Sequence, residues 1–151
     1  MVKNSVLKLA QYLINYYKNN DLSYLGPRTL QKLLFFLRYE ECKNQQTKNS
    51  YFAKNHNFEA WVYGPANRQS AFYDFANEPI VLEQTDNERL EKQYSAALAK
   101  WSRRGTENLV IIAQQNRAWK AARHGLGIYE FTSNVINESQ PAFLEFDGKW
   151  K

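Results

Sequence analysis

The stretch Leu30-Gln31-Lys32-Leu33-Leu34-Phe35-Phe36-Leu37-Arg38-Tyr39 is the most apolar run of the chain that still keeps a helical period. Leu30, Leu33, Leu34 and Leu37 recur at i, i+3, i+4 and i+7, so one face of an α-helix carries all four. Phe35, Phe36 and Tyr39 cover much of the opposite side. A helix apolar over most of its circumference has to be surrounded by other elements. The pattern therefore predicts a central helix in a mainly α-helical domain. Gly26-Pro27 marks its start, because proline at the first helical position has the required φ and lacks only an N–H that would have no partner there. Gln31 and Arg38 fall on a separate edge expected to face solvent. Lys32, among the aromatic residues, has two readings. Its ammonium can snorkel to water while the stem covers apolar surface, or it can be buried against a carboxylate or backbone carbonyls from the segment around residue 60.

Composition sets the frame for that helix. The chain has 151 residues, 44% of them hydrophobic, with four Trp, ten Tyr and nine Phe. That suffices for one substantial core, and residues 1–151 are expected to form a single compact domain. No secretory apolar segment and no run of eighteen apolar residues occurs, so a cytoplasmic protein without a membrane span is expected. Cys42 is the only cysteine, which excludes an internal disulfide and fits an ordinary thiol at a helix end. With only His56 and His124 beside it, no metal-ligand spacing is recognisable, and neither a metal nor a cofactor is expected. The net charge of +5 is dispersed and points only weakly to an acidic partner or nucleic acid.

Outward from the centre, residues 4–18 read as a first helix with Val6, Leu9, Ala10, Leu13 and Tyr17 as its stripe, capped by Asn4 or Ser5. Residues 41–57 read as an exposed connection with a short extended piece at Tyr51-Phe52. Phe58 to Tyr63 alternates as a strand with Phe58, Ala60 and Val62 on one face, and Gly64-Pro65 is expected to stop it. A helix over 66–75 should follow, with Pro65 at its first turn. Ile80-Val81-Leu82 is expected to return as the second strand of a small β-ribbon. Thr85 and Glu88 have capping-box spacing and open a helix with the stripe Leu90, Tyr94, Ala97, Leu98 and Trp101, ended by Gly105. A short buried helix over 106–113, another capped by Asn116, and a terminal helix from Asn137 to Phe146 anchored by Phe143, Leu144 and Phe146 complete the prediction.

Chemistry-bearing motifs are scarce. The sequence has no nucleophile elbow, phosphate loop, dinucleotide-binding glycine motif or zinc-protease helix, and isolated carboxylates such as Glu59 and Asp74 do not make an active site. A binding protein rather than an enzyme is expected. Two surfaces qualify. Trp61, Tyr63, Gly64, Pro65 and Arg68, with Lys32 and Tyr73 near them, form a stiff corner rich in the residue types that dominate binding hot spots; the alternative is that Trp61 and Tyr63 are core. Arg117, Lys120, Arg123 and His124 recur at three- and four-residue spacing, as either a solvated helix face or a basic stripe for an acidic surface or phosphate backbone.

Leu30-Gln-Lys-Leu-Leu-Phe-Phe36, then Glu59-Ala-Trp-Val-Tyr-Gly-Pro65 with Tyr73 eight residues on, then Trp119-Lys120-Ala121, resembles the Panacea family of SocA-like antitoxins, to which GepA-type mobile-element proteins also belong. The similarity runs over roughly residues 5–146. The resemblance implies a mostly helical antitoxin that binds and neutralises a cognate protein toxin encoded nearby, in some members by delivering it to a cellular protease. The chain departs from the family pattern at Gly26, where threonine is typical, at Ala66, where valine is usual, and at Ala113-Gln114, where Thr-His is expected. The other function class open at this point is a nucleic-acid-binding regulator of a mobile element or phage, using the Arg117, Lys120, Arg123 stripe.

Overall fold

The computed structural model describes residues 5–22 and 25–148. Its elements run α1 (Ser5–Asn19), α2 (Pro27–Lys43), β1 (Glu59–Trp61), β2 (Gly64–Ala66), α3 (Arg68–Ala71), α4 (Gln84–Trp101), α5 (Thr106–Ala113), α6 (Arg117–Ala122) and a 3-10 turn at Pro141–Leu144. The fold is mainly helical with a small two-stranded sheet. Among the described residues no helix is long and apolar enough to cross a membrane.

Helix α2 is the axis. Every residue from Thr29 to Glu41 is buried, and α1, α4, α5, β2 and the 3-10 turn pack around it. Its aromatic side packs against rings from other segments. Phe36 stacks flat on Trp101 of α4, with centroids 3.9 Å apart, and Phe35 meets Phe58 and Phe143 edge-on at 5.5 Å. Leu33, Leu34 and Leu37 are fully buried, each a contribution of about 1.5–3 kcal/mol from apolar area removed from water. The stripes of α1 and α4 close the core: Leu9, Ala10, Leu13, Leu90, Leu98 and Trp101 are inaccessible.

The edge of Gln31 and Arg38 is not solvated. Both side chains are buried because sequence-distant segments fold over them. Arg38 donates to Glu138 at 2.7 Å, to Glu41 at 3.0 Å and to the Lys54 carbonyl at 2.8 Å. Glu138 also accepts from the Asn57 backbone N–H at 2.9 Å. One guanidinium thus fastens the connection after α2 and the C-terminal segment to the central helix. That connection is exposed only in part: Tyr51, Phe52 and Asn57 are buried, and Tyr51-Phe52 forms bends rather than an extended piece.

The ribbon is also built differently from the sequence expectation. Gly64-Pro65 does not stop a strand ahead of a helix; it is the returning strand, with Ala60 opposite Pro65 and Trp61 opposite Gly64. Proline is tolerated there because a short edge pairing does not require its N–H. Ile80–Leu82 is instead an irregular crossing, tied by the Ile80 N–H to Gln11. Helix α3 spans only Arg68–Ala71 and is capped by Asn67, whose side chain accepts from Ser70 N. Glu83 rather than Thr85 precedes α4, with no side-chain cap, and Gly105 flanks the start of α5 instead of ending α4 directly. The terminal helix is reduced to the 3-10 turn. Phe143 is buried, but Leu144 is exposed, and Asn137 caps nothing beyond a local turn at Ser139. For α1, the cap alternative Asn4 lies outside the described residues.

Candidate functional site

Three side chains from the last third of the chain hold the carbonyls of the ribbon. Arg123 donates to Ala60 O at 2.8 Å, the Trp119 indole to Trp61 O at 2.9 Å, and Gln114 to Val62 O at 3.1 Å. On its other edge β1 is bridged to Val135, with Ala60 N donating to Asn134 O at 2.8 Å. The turn at Val62-Tyr63 is therefore braced from two directions, and what it displays is held in place.

Trp61 is partly buried between two exposed rings, Phe72 at 5.8 Å and Phe131 at 6.3 Å. Its indole donates to Glu59 at 2.7 Å, and the same carboxylate accepts a bidentate pair from Arg68 at 2.7 and 3.0 Å. The Arg68 hydrogen bond is the main reason the Glu59 carboxyl is held below the usual carboxylate range. Phe72 is 70%, Phe131 64% and Tyr63 47% exposed. Burying large apolar rings is favourable, so a cluster left open beside a braced turn has the character of a contact surface. The Arg28 guanidinium lies over Tyr63, 3.8 Å from the ring centroid, a cation–π arrangement that orients both groups.

Behind these rings is a cavity of about 560 Å³, walled by Trp61, Tyr63, Phe72 and Phe131 and reaching Arg28 and Lys32 of α2. Such a volume lies within the roughly 300–1,000 Å³ typical of ligand pockets. Lys32 does not snorkel. Only 3% of it is exposed, and its ammonium donates to Pro65 O at 2.8 Å. The partner is thus a backbone carbonyl near residue 60, not a carboxylate. Burial, with the neighbouring Arg28 charge adding to it, pushes the Lys32 amine down to about 7. Gly64 makes this position possible: its φ is +115°, and a Cβ there would sit 2.8 Å from Lys32 Cε.

Lys32, Trp61, Tyr63, Gly64 and Pro65 are brought together, with Arg68 at the edge. Tyr73 is apart: its hydroxyl donates to Glu78 O and its ring lies against Phe75. The Arg117, Lys120, Arg123 stripe does not exist as a basic surface. Arg123 is buried on carbonyls of Ala60, Gly127 and Glu130, while Arg117 and Lys120 are exposed but paired with Asp147. Arg28, Phe72 and Phe131 join the site without having been singled out in sequence. The only available signals were Arg28 one turn before Lys32 and Phe72 close after the Gly-Pro pair. Comparisons with protein-family models, curated proteins and solved structures give no match.

Proposed function

We propose that this chain is an antitoxin-like binding protein that neutralises a cognate protein toxin by engaging it through the corner formed by Trp61, Tyr63, Phe72, Phe131 and Arg68. The observation that carries the reading is the set of exposed rings on a braced turn beside a cavity. Trp, Tyr and Arg dominate binding energy where they combine large contact area with a polar handle. The Panacea-like pattern in the sequence supports the toxin as the kind of partner, and a protease acting on the bound toxin belongs to the same reading. No catalytic role is assigned to the corner, since the Glu59 carboxylate is occupied by Arg68 and Trp61.

Expression of the adjacent gene, alone and together with this chain, tests the proposal. Growth arrest by the neighbour and rescue by this chain are expected. Tyr63→Ala with Arg68→Glu should abolish rescue while the melting temperature stays close to wild type. Rescue that survives the double variant would remove the corner from the interface.

A further inference from the structure

Across the described residues, buried or half-buried cations are generally matched. Arg38 has Glu41 and Glu138, Lys8 has Asp86, and Arg123 has three backbone carbonyls. Lys32 is the contrast, and the exposed Arg28 is its neighbour. They stand one helical turn apart on α2, so both face the same cavity, and no carboxylate of the described residues lies within ion-pair distance of either. Lys32 has one carbonyl for its three donor hydrogens; Arg28 has the face of Tyr63. Two like charges are thus directed at one apolar space. An incompletely compensated charge in such a place is costly to the free protein, and the arrangement becomes favourable when an anion enters and the aromatic walls exclude water around it.

We propose that the cavity receives a segment of the partner polypeptide that seats an apolar side chain against Trp61, Phe72 and Phe131 and sets an adjacent Asp or Glu carboxylate against Lys32 and Arg28. This rests on reading the corner as a partner surface and specifies the chemistry of what it binds. The shape supports a peptide. The cavity opens beside exposed Tyr63, Phe72 and Phe131, which offer contact area to the residues on either side of an inserted one. Gly64 contributes by leaving room for the Lys32 stem, whose ammonium donates to the neighbouring Pro65 carbonyl.

Selection of a random twelve-residue peptide display library on the purified chain tests the inference without the neighbouring gene. Enriched peptides should pair an aromatic or aliphatic residue with Asp or Glu. Synthetic copies with that acid changed to Asn or Gln should bind roughly tenfold or more weakly. Lys32→Met should weaken the acidic peptide by a similar factor and the amide version hardly at all, so that the two losses are not additive. Arg28→Gln, on an exposed residue, repeats the test should Lys32→Met fail to fold. Enrichment of basic or purely apolar peptides, or acidic peptides that bind both variants like wild type, overturns the inference. The two proposals fail separately. Acidic peptides that need Lys32 beside a neighbour that never binds leave the inference standing without the antitoxin reading. A neighbour product bound equally by wild type, Lys32→Met and Arg28→Gln does the reverse.

Discussion

Lys32 and Arg38 are six residues apart on one helix and equally buried, yet their surroundings are opposites. Arg38 is enclosed by groups that satisfy it: two carboxylates, the Ser50 hydroxyl at 3.3 Å and the Lys54 carbonyl. Ser50 and Tyr94 extend the same network to the connection and to α4. Lys32 has one carbonyl and a cavity. A planar guanidinium with five donors suits the first place, where it joins three segments at once, and a compact ammonium that can lose its proton suits the second. The comparison separates a polar group kept for architecture from one whose complement is not supplied by its own chain.

The sharpest way to break the comparison is at Arg38. Arg38→Leu leaves Glu41 and Glu138 buried without their cation and should cost about 3–5 kcal/mol, read as a lowered midpoint in denaturant unfolding. A loss below about 1 kcal/mol would mean that the network is not holding the connection and the C-terminal segment to α2. Next in size is Gly64→Ala. The residue would be forced into a φ of +115° with its Cβ against the Lys32 stem, for a cost of roughly 1–3 kcal/mol. In a Lys32→Ala background the contact is gone, so the penalty should shrink; an unchanged penalty would assign it to the backbone alone.

A third test is a pH dependence. The Lys32 amine is lowered from 10.5 to about 7 in the folded chain. Between those values the unfolded chain holds a proton that the folded chain does not, so the contribution to stability rises with pH over that interval. Relative to Lys32→Met, the wild type should therefore gain stability from about pH 7 toward pH 10, as followed by thermal melts of the pair. A constant difference across that range would remove desolvation of Lys32 from the account.

What the sequence revealed follows the reach of each interaction. The central helix was legible because its signal is a local period, and the helix over Thr106–Ala113, the Pro27 start of α2 and the Asn116 cap of α6 were legible from short local stretches. Gly64-Pro65 was misread because the pair is a strong local breaker, whereas its place in the ribbon is decided by Ala60 across the strand and Lys32 beneath it. Gln31 and Arg38 passed for surface residues since their partners are remote: Asn67 and Ser70 for one, Lys54 and Glu138 for the other. Of the site, Lys32, Trp61 and Tyr63 stood out as residue types in odd company. Arg28, Phe72 and Phe131 did not, because an exposed ring beside a cavity is a property of the assembled fold.

The central claim is that Lys32 sits desolvated and incompletely paired at the cavity while Arg38 is fully matched. Titration of the free protein, following the Lys32 side chain by its ¹³Cε and ¹⁵Nζ resonances, measures this directly. A midpoint near 7 is expected. A midpoint near the ordinary lysine value of about 10.4 would place the ammonium in water and contradict it.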